Sequence, residues 1–188
     1  MRLWMITKLG FPAIAAEHDR LFASWEMIDD PGVFESPYRW MIQQMANHGL
    51  DTQGHPPFWA WHSYGAPGKR VDLRTYAQPE PVLRLTLDVP DQLVLLSDET
   101  DWHSVLNNWY HAISETEYDR VEKLEDAGKL SQSEKQASWK WIFDLTQHGD
   151  PEWAGLAKER LIQACMPWFE HCWIKKIERF NGRCERTE

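Results

Sequence analysis

Tryptophan recurs through nearly every segment of this chain, twelve times in 188 residues, and two of its clusters have histidine beside them: Trp59-Ala60-Trp61-His62 and Asp101-Trp102-His103. An indole brings a large apolar body and one N–H that needs an acceptor once it leaves water. Rings of that size, spread so evenly, leave few ways to fill an interior. One compact arrangement is expected, with most rings serving as core or pocket wall. A chain of this length can bury about 70% of its unfolded surface in one domain. Residues 1–188 are therefore read as a single globular domain with a short basic C-terminal tail, Lys175-Lys176…Arg179…Arg183…Arg186.

Charge and cysteine content narrow the function classes. The formal net charge is −9, which argues against a protein whose main task is gripping nucleic-acid phosphates. Residues 115–126 are locally acidic, and a solvated helix face is the plain reading. No apolar run approaches the ~20 residues of a membrane span. Met1–Thr7 is too short for a signal-peptide core. A cytoplasmic protein with no membrane partner is expected. Cys165, Cys172 and Cys184 form no CxxC pair and are odd in number, so free thiols fit better than a disulfide framework.

Periodicity sets out the elements. Residues 2–7 read as a strand, and Ile14, Leu21, Phe22 and Trp25 predict a helix over about 13–27. Asp29-Asp30-Pro31-Gly32 reads as a turn. The next helix should open at Ser36-Pro37 and close at Gly49, with Tyr38, Met41, Ile42 and Met45 as its apolar stripe and Arg39, Gln43 and Asn47 on another face. Residues 58–64 read as an aromatic strand. Leu83, Leu85, Leu87 and Val89 alternate with polar residues until Pro90, and Val94-Leu95-Leu96 is a short buried piece. Ser97 or Asp98 can cap a helix striped by Trp102, Val105, Leu106, Trp109 and Ile113, whose other face aligns His103, Asn107 and His111. Ser114…Glu117 and Ser131…Glu134 match capping boxes, and Asp150-Pro151 starts a short helix. Residues 161–166 read as a buried strand. Beyond Pro167 a short helix leads to a last strand near Phe180. The order predicts an α+β fold: small mixed or antiparallel sheets packed with several helices.

The chain lacks GxGxxG, Walker, GxSxG and HExxH signatures. Gly65–Arg70 superficially resembles a phosphate loop but has the wrong spacing; a basic turn is the simpler reading. A metal set from Asp98, Asp101, His103 and His111 meets the objection that His103 and His111 lie two helical turns apart. Cys165 on an apolar strand reads as an inert buried thiol. Trp59, Trp61 and His62 are either core packing or a pocket wall.

Leu3-Trp4-Met5-Ile6, Tyr38-Arg39-Trp40-Met41…Gln44-Met45, Pro57-Phe58-Trp59-Ala60-Trp61 and Asp72-Leu73-Arg74 carry a resemblance that continues downstream. It runs through Leu87-Asp88-Val89-Pro90…Leu95-Leu96-Ser97-Asp98…Trp102-His103…Leu106-Asn107 and Ile162-Gln163-Ala164…Trp173-Ile174…Phe180. With these residues the chain resembles an uncharacterised bacterial family catalogued as domain of unknown function 3841, a name that implies no activity. In its order of elements it is also similar to compact ADP-ribosyltransferase-like proteins. That likeness implies an NAD cleft between two small sheets. It would give a first-strand role to Arg2 or Thr7, a middle-strand role to His62 or Tyr64, and the late-strand glutamate position to Gln163. A neutral amide there could hold ribose hydroxyls but would stabilise an oxocarbenium-like transition state poorly.

The expected site is a cleft lined by Arg39, Trp59, Trp61, His62, Asp98, His103 and Gln163. It would bind a nucleotide-like ligand, with NAD or ADP-ribose as the leading choice, with or without ADP-ribose transfer. Rings would stack on the base, Arg39 or Arg74 would meet phosphate, and His62 or His103 would orient a hydroxyl. His62, His103 and Gln163 are the candidate catalytic residues; Thr7, Arg39, Trp59, Trp61, Tyr64, Arg74 and Asp98 are the candidate cofactor contacts. The alternative is a non-catalytic interaction module whose acidic surface meets a basic partner. A third reading is a metal-dependent hydrolase of nucleotides or nucleic acid.

Overall fold

The apolar run Leu3-Trp4-Met5, buried without alternation, suits a strand inside the sheet. The computed structural model describes residues 1–28, 30–64 and 80–181. Its strands are β1 (Arg2–Thr7), β2 (Phe58–Tyr64), β3 (Pro81–Asp88), β4 (Leu95–Asp98), β5 (Leu161–Met166) and β6 (Ile174–Asn181). Its helices are α1 (Phe11–Ala16), α2 (Pro31–Asn47), α3 (Glu99–Leu106), α4 (Glu115–Asp126), α5 (Gln132–Ser138) and α6 (Pro151–Ala154). The fold is α+β, with a six-stranded sheet in the order β4-β5-β2-β1-β3-β6. No helix among the described residues is long and apolar enough to cross a membrane.

The described residues group into two compact units. One holds 1–62, 80–95 and 164–181; the other holds 63–64 and 96–163. In the first, β1 runs antiparallel to β3 with Leu3 opposite Leu87 and Met5 opposite Leu85, and β3 runs antiparallel to β6. Leu3, Leu85 and Leu87 are fully buried, the outcome that period-2 alternation demands of a half-buried strand. On α2 the buried face is Pro37, Trp40, Met41, Gln44 and Met45, a 3.6-residue stripe. Arg39, Gln43 and Asn47 stay exposed. Phe11 of α1 meets Phe58 and Phe169 at ring-centroid distances of 6.0 and 4.9 Å. Cys165 is buried, and burial pushes its thiol well above the ordinary range.

Several boundaries differ from the expectation. The first helix stops at Ala16; Leu21 instead exchanges two backbone hydrogen bonds with Phe169 (2.9 and 2.8 Å), and Ser24 caps a separate 3₁₀ turn, Trp25–Met27. α2 starts at Pro31 rather than Ser36, because a proline suits the first helical position and Pro37 is tolerated inside the helix. The segment after Pro167 is a 3₁₀ turn, His171–Trp173, running directly into β6. Gly65–Arg70 and the end of the basic tail lie outside the described residues.

Candidate functional site

In the second unit the decisive local event is the end of α3. Apolar periodicity continues through Trp109 and Ile113, yet the helix stops at Leu106. Asn108 takes the left-handed conformation at φ +54°, which asparagine tolerates better than most residues. The Asn108 N–H then donates to the Val105 carbonyl (3.1 Å) and the Trp109 N–H to the Ser104 carbonyl (2.8 Å), the paired bonds of a Schellman ending. The chain turns back on itself. His103 and His111 therefore do not share a helix face, and the objection that they stand two turns apart no longer applies to His111.

Residues 109–113 form no regular element, so their backbone groups need other partners. The Trp139 indole donates to the Trp109 carbonyl (2.6 Å), the His111 N–H to Ser138 Oγ (2.9 Å), and the Trp153 indole to the Ala112 carbonyl (3.1 Å). The Ile113 N–H donates to Glu117 (3.0 Å), and the Ile113 carbonyl accepts from the Asp150 N–H (2.9 Å). Gly149 is required at this crossing. A Cβ on it would lie 2.3 Å from the Ile113 oxygen, and its φ is +68°. The bare backbone of Gly149 lets the loop carrying His148 rest on the segment carrying His111.

These contacts assemble a buried polar cluster. Asp98 caps α3, accepting from the Thr100 and Asp101 N–H groups (2.9 and 3.2 Å), and its carboxylate lies 3.4 Å from Arg160 Nε. Arg160 Nη1 donates to the Asp144 carbonyl (2.9 Å), and Arg160 Nη2 lies 3.4 Å from His148 Nε2. The His148 ring stacks on Trp141 at 5.4 Å and 22°. His111 Nε2 is 3.6 Å from Asp101 Oδ2, beyond hydrogen-bond reach, and this buried nitrogen has no hydrogen-bond partner among the described residues. One ligating atom each from Asp101, His111 and His148 lie within 4.8 Å of one another. Burial, reinforced by His148, pushes His111 down to about 4, so its ring is neutral at ordinary pH. Burial raises Asp98 and Asp101, with Arg160 opposing the shift at both.

The cluster adjoins a cavity of about 780 Å³ within the same unit. Asp101 and His111 contribute to its wall, together with Trp109, Tyr110, Tyr118 and Trp153, the hydroxyls of Thr100 and Ser104, and Glu122, Glu125 and Asp126. Tyr110 donates to Glu117 at 2.7 Å; burial and this carboxylate push its phenol up to about 12.

A model of the family described as "Domain of unknown function (DUF3841)" matches residues 3–164. The chain belongs to that family. The matched span contains every member of the polar cluster and the whole cavity wall of this DUF3841 chain. No curated protein and no solved structure matches it.

The candidate residues from the sequence divide between the units. In the first, Thr7 ends β1 opposite Leu83. Arg39 pairs with Glu35 (2.6 Å) and sits 4.9 Å over the Trp25 ring. Trp59 meets Tyr38 edge-on at 6.1 Å, and Trp61 lies opposite Trp4 on β1. His62 is half-buried, which lowers its pKa, assisted by the N-terminal ammonium and opposed by Asp91. In the second unit, Gln163 is buried and donates to Ser97 Oγ (3.2 Å), next to Asp98. His103 is exposed, its Nδ1 3.1 Å from the Glu99 carbonyl. Tyr64 closes β2, and Arg74 lies outside the described residues. Gln163 thus reaches Ser97, the neighbour of Asp98 in β4, while His103 faces solvent. The sequence reading missed His148, Arg160 and the four cavity rings. Two signals were present: the helix stop Asn107-Asn108, and a glycine directly after His148.

Proposed function

We propose that the chain binds a nucleotide-class ligand through its base and ribose, in the cavity of the second unit. The observation that carries this reading is the sharing of one cavity by the aromatic rings of Trp109, Tyr110, Tyr118 and Trp153, four carboxylates and the hydroxyls of Thr100 and Ser104. Its volume of about 780 Å³ falls in the usual range for small-molecule sites. Aromatic faces stack on bases whatever the sequence, and carboxylates accept hydrogen bonds from ribose hydroxyls, as in dinucleotide sites. Among the described residues no lysine or arginine lines the cavity, so phosphates would point outward to solvent. Gln163 is engaged with Ser97, so the reading is one of binding, without ADP-ribose transfer.

The test is a thermal-shift and tryptophan-fluorescence titration with adenosine, AMP, ATP, NAD and ADP-ribose. A ligand at a hundred times its dissociation constant adds about 2.7 kcal/mol, several degrees at this size. Adenosine should bind more tightly than ATP, whose outward phosphates find no cation in the wall and feel the field of its carboxylates. Trp109→Ala should abolish the response without loss of stability, since that side chain is 58% exposed. Silence with every compound would sink the reading. A second reading, docking of a basic partner segment, draws on the exposure of Trp109, Tyr118 and Trp153 beside acidic α4. A lysine-rich peptide in the same titration addresses it.

A further inference from the structure

We propose that Asp101, His111 and His148 form a binding site for a divalent transition-metal ion of the zinc or ferrous kind. The inference does not depend on the cavity taking a nucleotide.

Two imidazoles and one carboxylate are the donor set that zinc and non-haem iron accept and that calcium and magnesium, which take oxygen ligands, do not favour. The donors converge from three separate segments: Asp101 from α3, His111 from the turn-back beyond it, and His148 from the loop before α6. A tetrahedral ion with bonds of about 2.1 Å spaces its ligands roughly 3.4 Å apart. Asp101 Oδ2 and His111 Nε2, at 3.6 Å, already stand near that spacing; His148 must close in by roughly an ångström.

The orientation of His111 points the same way. Its Nδ1 lies 3.4 Å from Ser104 Oγ, and its Nε2 is left buried with no hydrogen-bond partner among the described residues, in a residue only 8% exposed. Fixing one ring nitrogen by a protein partner and leaving the other to the ion is how metal-binding histidines are held. An unpaired buried polar atom is otherwise costly. His148 Nδ1 lies 3.2 Å from the Thr146 carbonyl, to which it can donate. That leaves Nε2 with the lone pair; Arg160 stands beside both ring nitrogens, its Nη2 3.4 Å from Nε2 and its Nη1 3.3 Å from Nδ1, both near the long limit of a hydrogen bond. Among the described residues around the cluster, Asp98, Asp101 and Asp144 outnumber the guanidinium of Arg160. The excess negative charge is of the sign a dication neutralises. Three protein ligands also leave a coordination position open, the arrangement of catalytic rather than structural zinc. Asp101 and His111 belong to the cavity wall as well, so an ion held by them would be reached from the cavity.

The test uses the full chain, stripped with chelator and titrated with Zn²⁺ alone, with no nucleotide present, so that its outcome is separate from the binding reading above. One Zn²⁺ per chain is expected by elemental analysis, undisturbed by equal Mg²⁺ or Ca²⁺. Asp101→Asn and His111→Gln should each weaken binding by at least the roughly hundredfold that loss of a ligand's supporting partner can cost, whereas His103→Gln, on the exposed face of α3, should not. Since a buried histidine can be needed for folding, the wild-type chain loaded with Cu²⁺ supplies a second measurement. Pulsed electron paramagnetic resonance should count a pair of coordinated imidazoles. Zn²⁺ uptake unaltered in folded His111→Gln, uptake below one per chain, or a copper spectrum without the imidazole pair would each overturn the proposal.

Discussion

The interiors of the two units are built from different materials. In the first, Leu3, Met41, Met45, Leu85 and Leu87 are fully buried, and the polar residues among them are Gln44, Thr52 and Arg84, the last paired with Glu178 at 3.2 Å. In the second, Trp102, Val105, Trp139 and Ile142 share the interior with Ser97, Asp98, His111, Ser138, His148, Arg160 and Gln163. Apolar burial contributes about 25 cal/mol per Å² and is indifferent to direction. A buried ion costs several kcal/mol unless a partner meets it at the right distance and angle. The first unit is therefore specified chiefly by volume and alternation, the second by orientation. An interior of the second kind is where perturbed ionisation and unpaired nitrogens accumulate.

The sharpest way to break that contrast is to remove one charge. Arg160→Met should cost about 4 kcal/mol, because it strands the buried Asp98 carboxylate. Adding Asp98→Asn should recover part of the loss, and urea unfolding of the single and double variants measures both. Leu85→Ala, in the apolar interior, should cost about 3 kcal/mol through lost transfer energy and a cavity. If it proves costlier than Arg160→Met, orientation is not what holds the second unit together. The smallest effect concerns the cavity edge. Tyr110 should keep its proton until about pH 12, whereas a tyrosine in the unfolded chain loses it near 10. The folded form then holds the proton that the unfolded form releases, so stability falls as pH rises from about 10 to about 12. Ultraviolet titration should find this late phenol in the wild type and lose it in Tyr110→Phe.

The same division governs how much could be read from the residues alone. The alternation of Leu83, Leu85 and Leu87 reports burial directly, because one period maps to one face; of the expected α2 stripe, Met41 and Met45 are buried, whereas Tyr38 and Ile42 are half-buried and Trp40 and Gln44 take the inner positions. The capping residues Asp98, Ser114, Ser131 and Asp150 each marked a helix start that the structure contains. The second unit defeated periodicity at one point. Trp102 to Ile113 keeps a helical period across a left-handed Asn108, so the polar row His103, Asn107, His111 looked like one face. Local backbone chemistry overrode the stripe there, and His111 went inward to Asp101 while His103 stayed outside. Thr7, Arg39, Trp59, Trp61 and His62 belong to the first unit and Asp98, His103 and Gln163 to the second. Residue type alone does not carry that partition. His148 and Arg160 sit in no periodic segment and reach Asp98 and Asp101 only through tertiary contacts, which leave no short-range mark.

Gly149 has a consequence for how such a site could change over generations. It brings two stretches of main chain into contact, with no room for a Cβ, so the spot where residues 111 and 148 meet is fixed by backbone and not by the side chains they carry. Substitution at either position can rewrite the chemistry while leaving its address untouched. Loss of the glycine would do the reverse, keeping both histidines and dispersing them. Descent can thus conserve the place and vary the reaction, provided one residue without a side chain is kept.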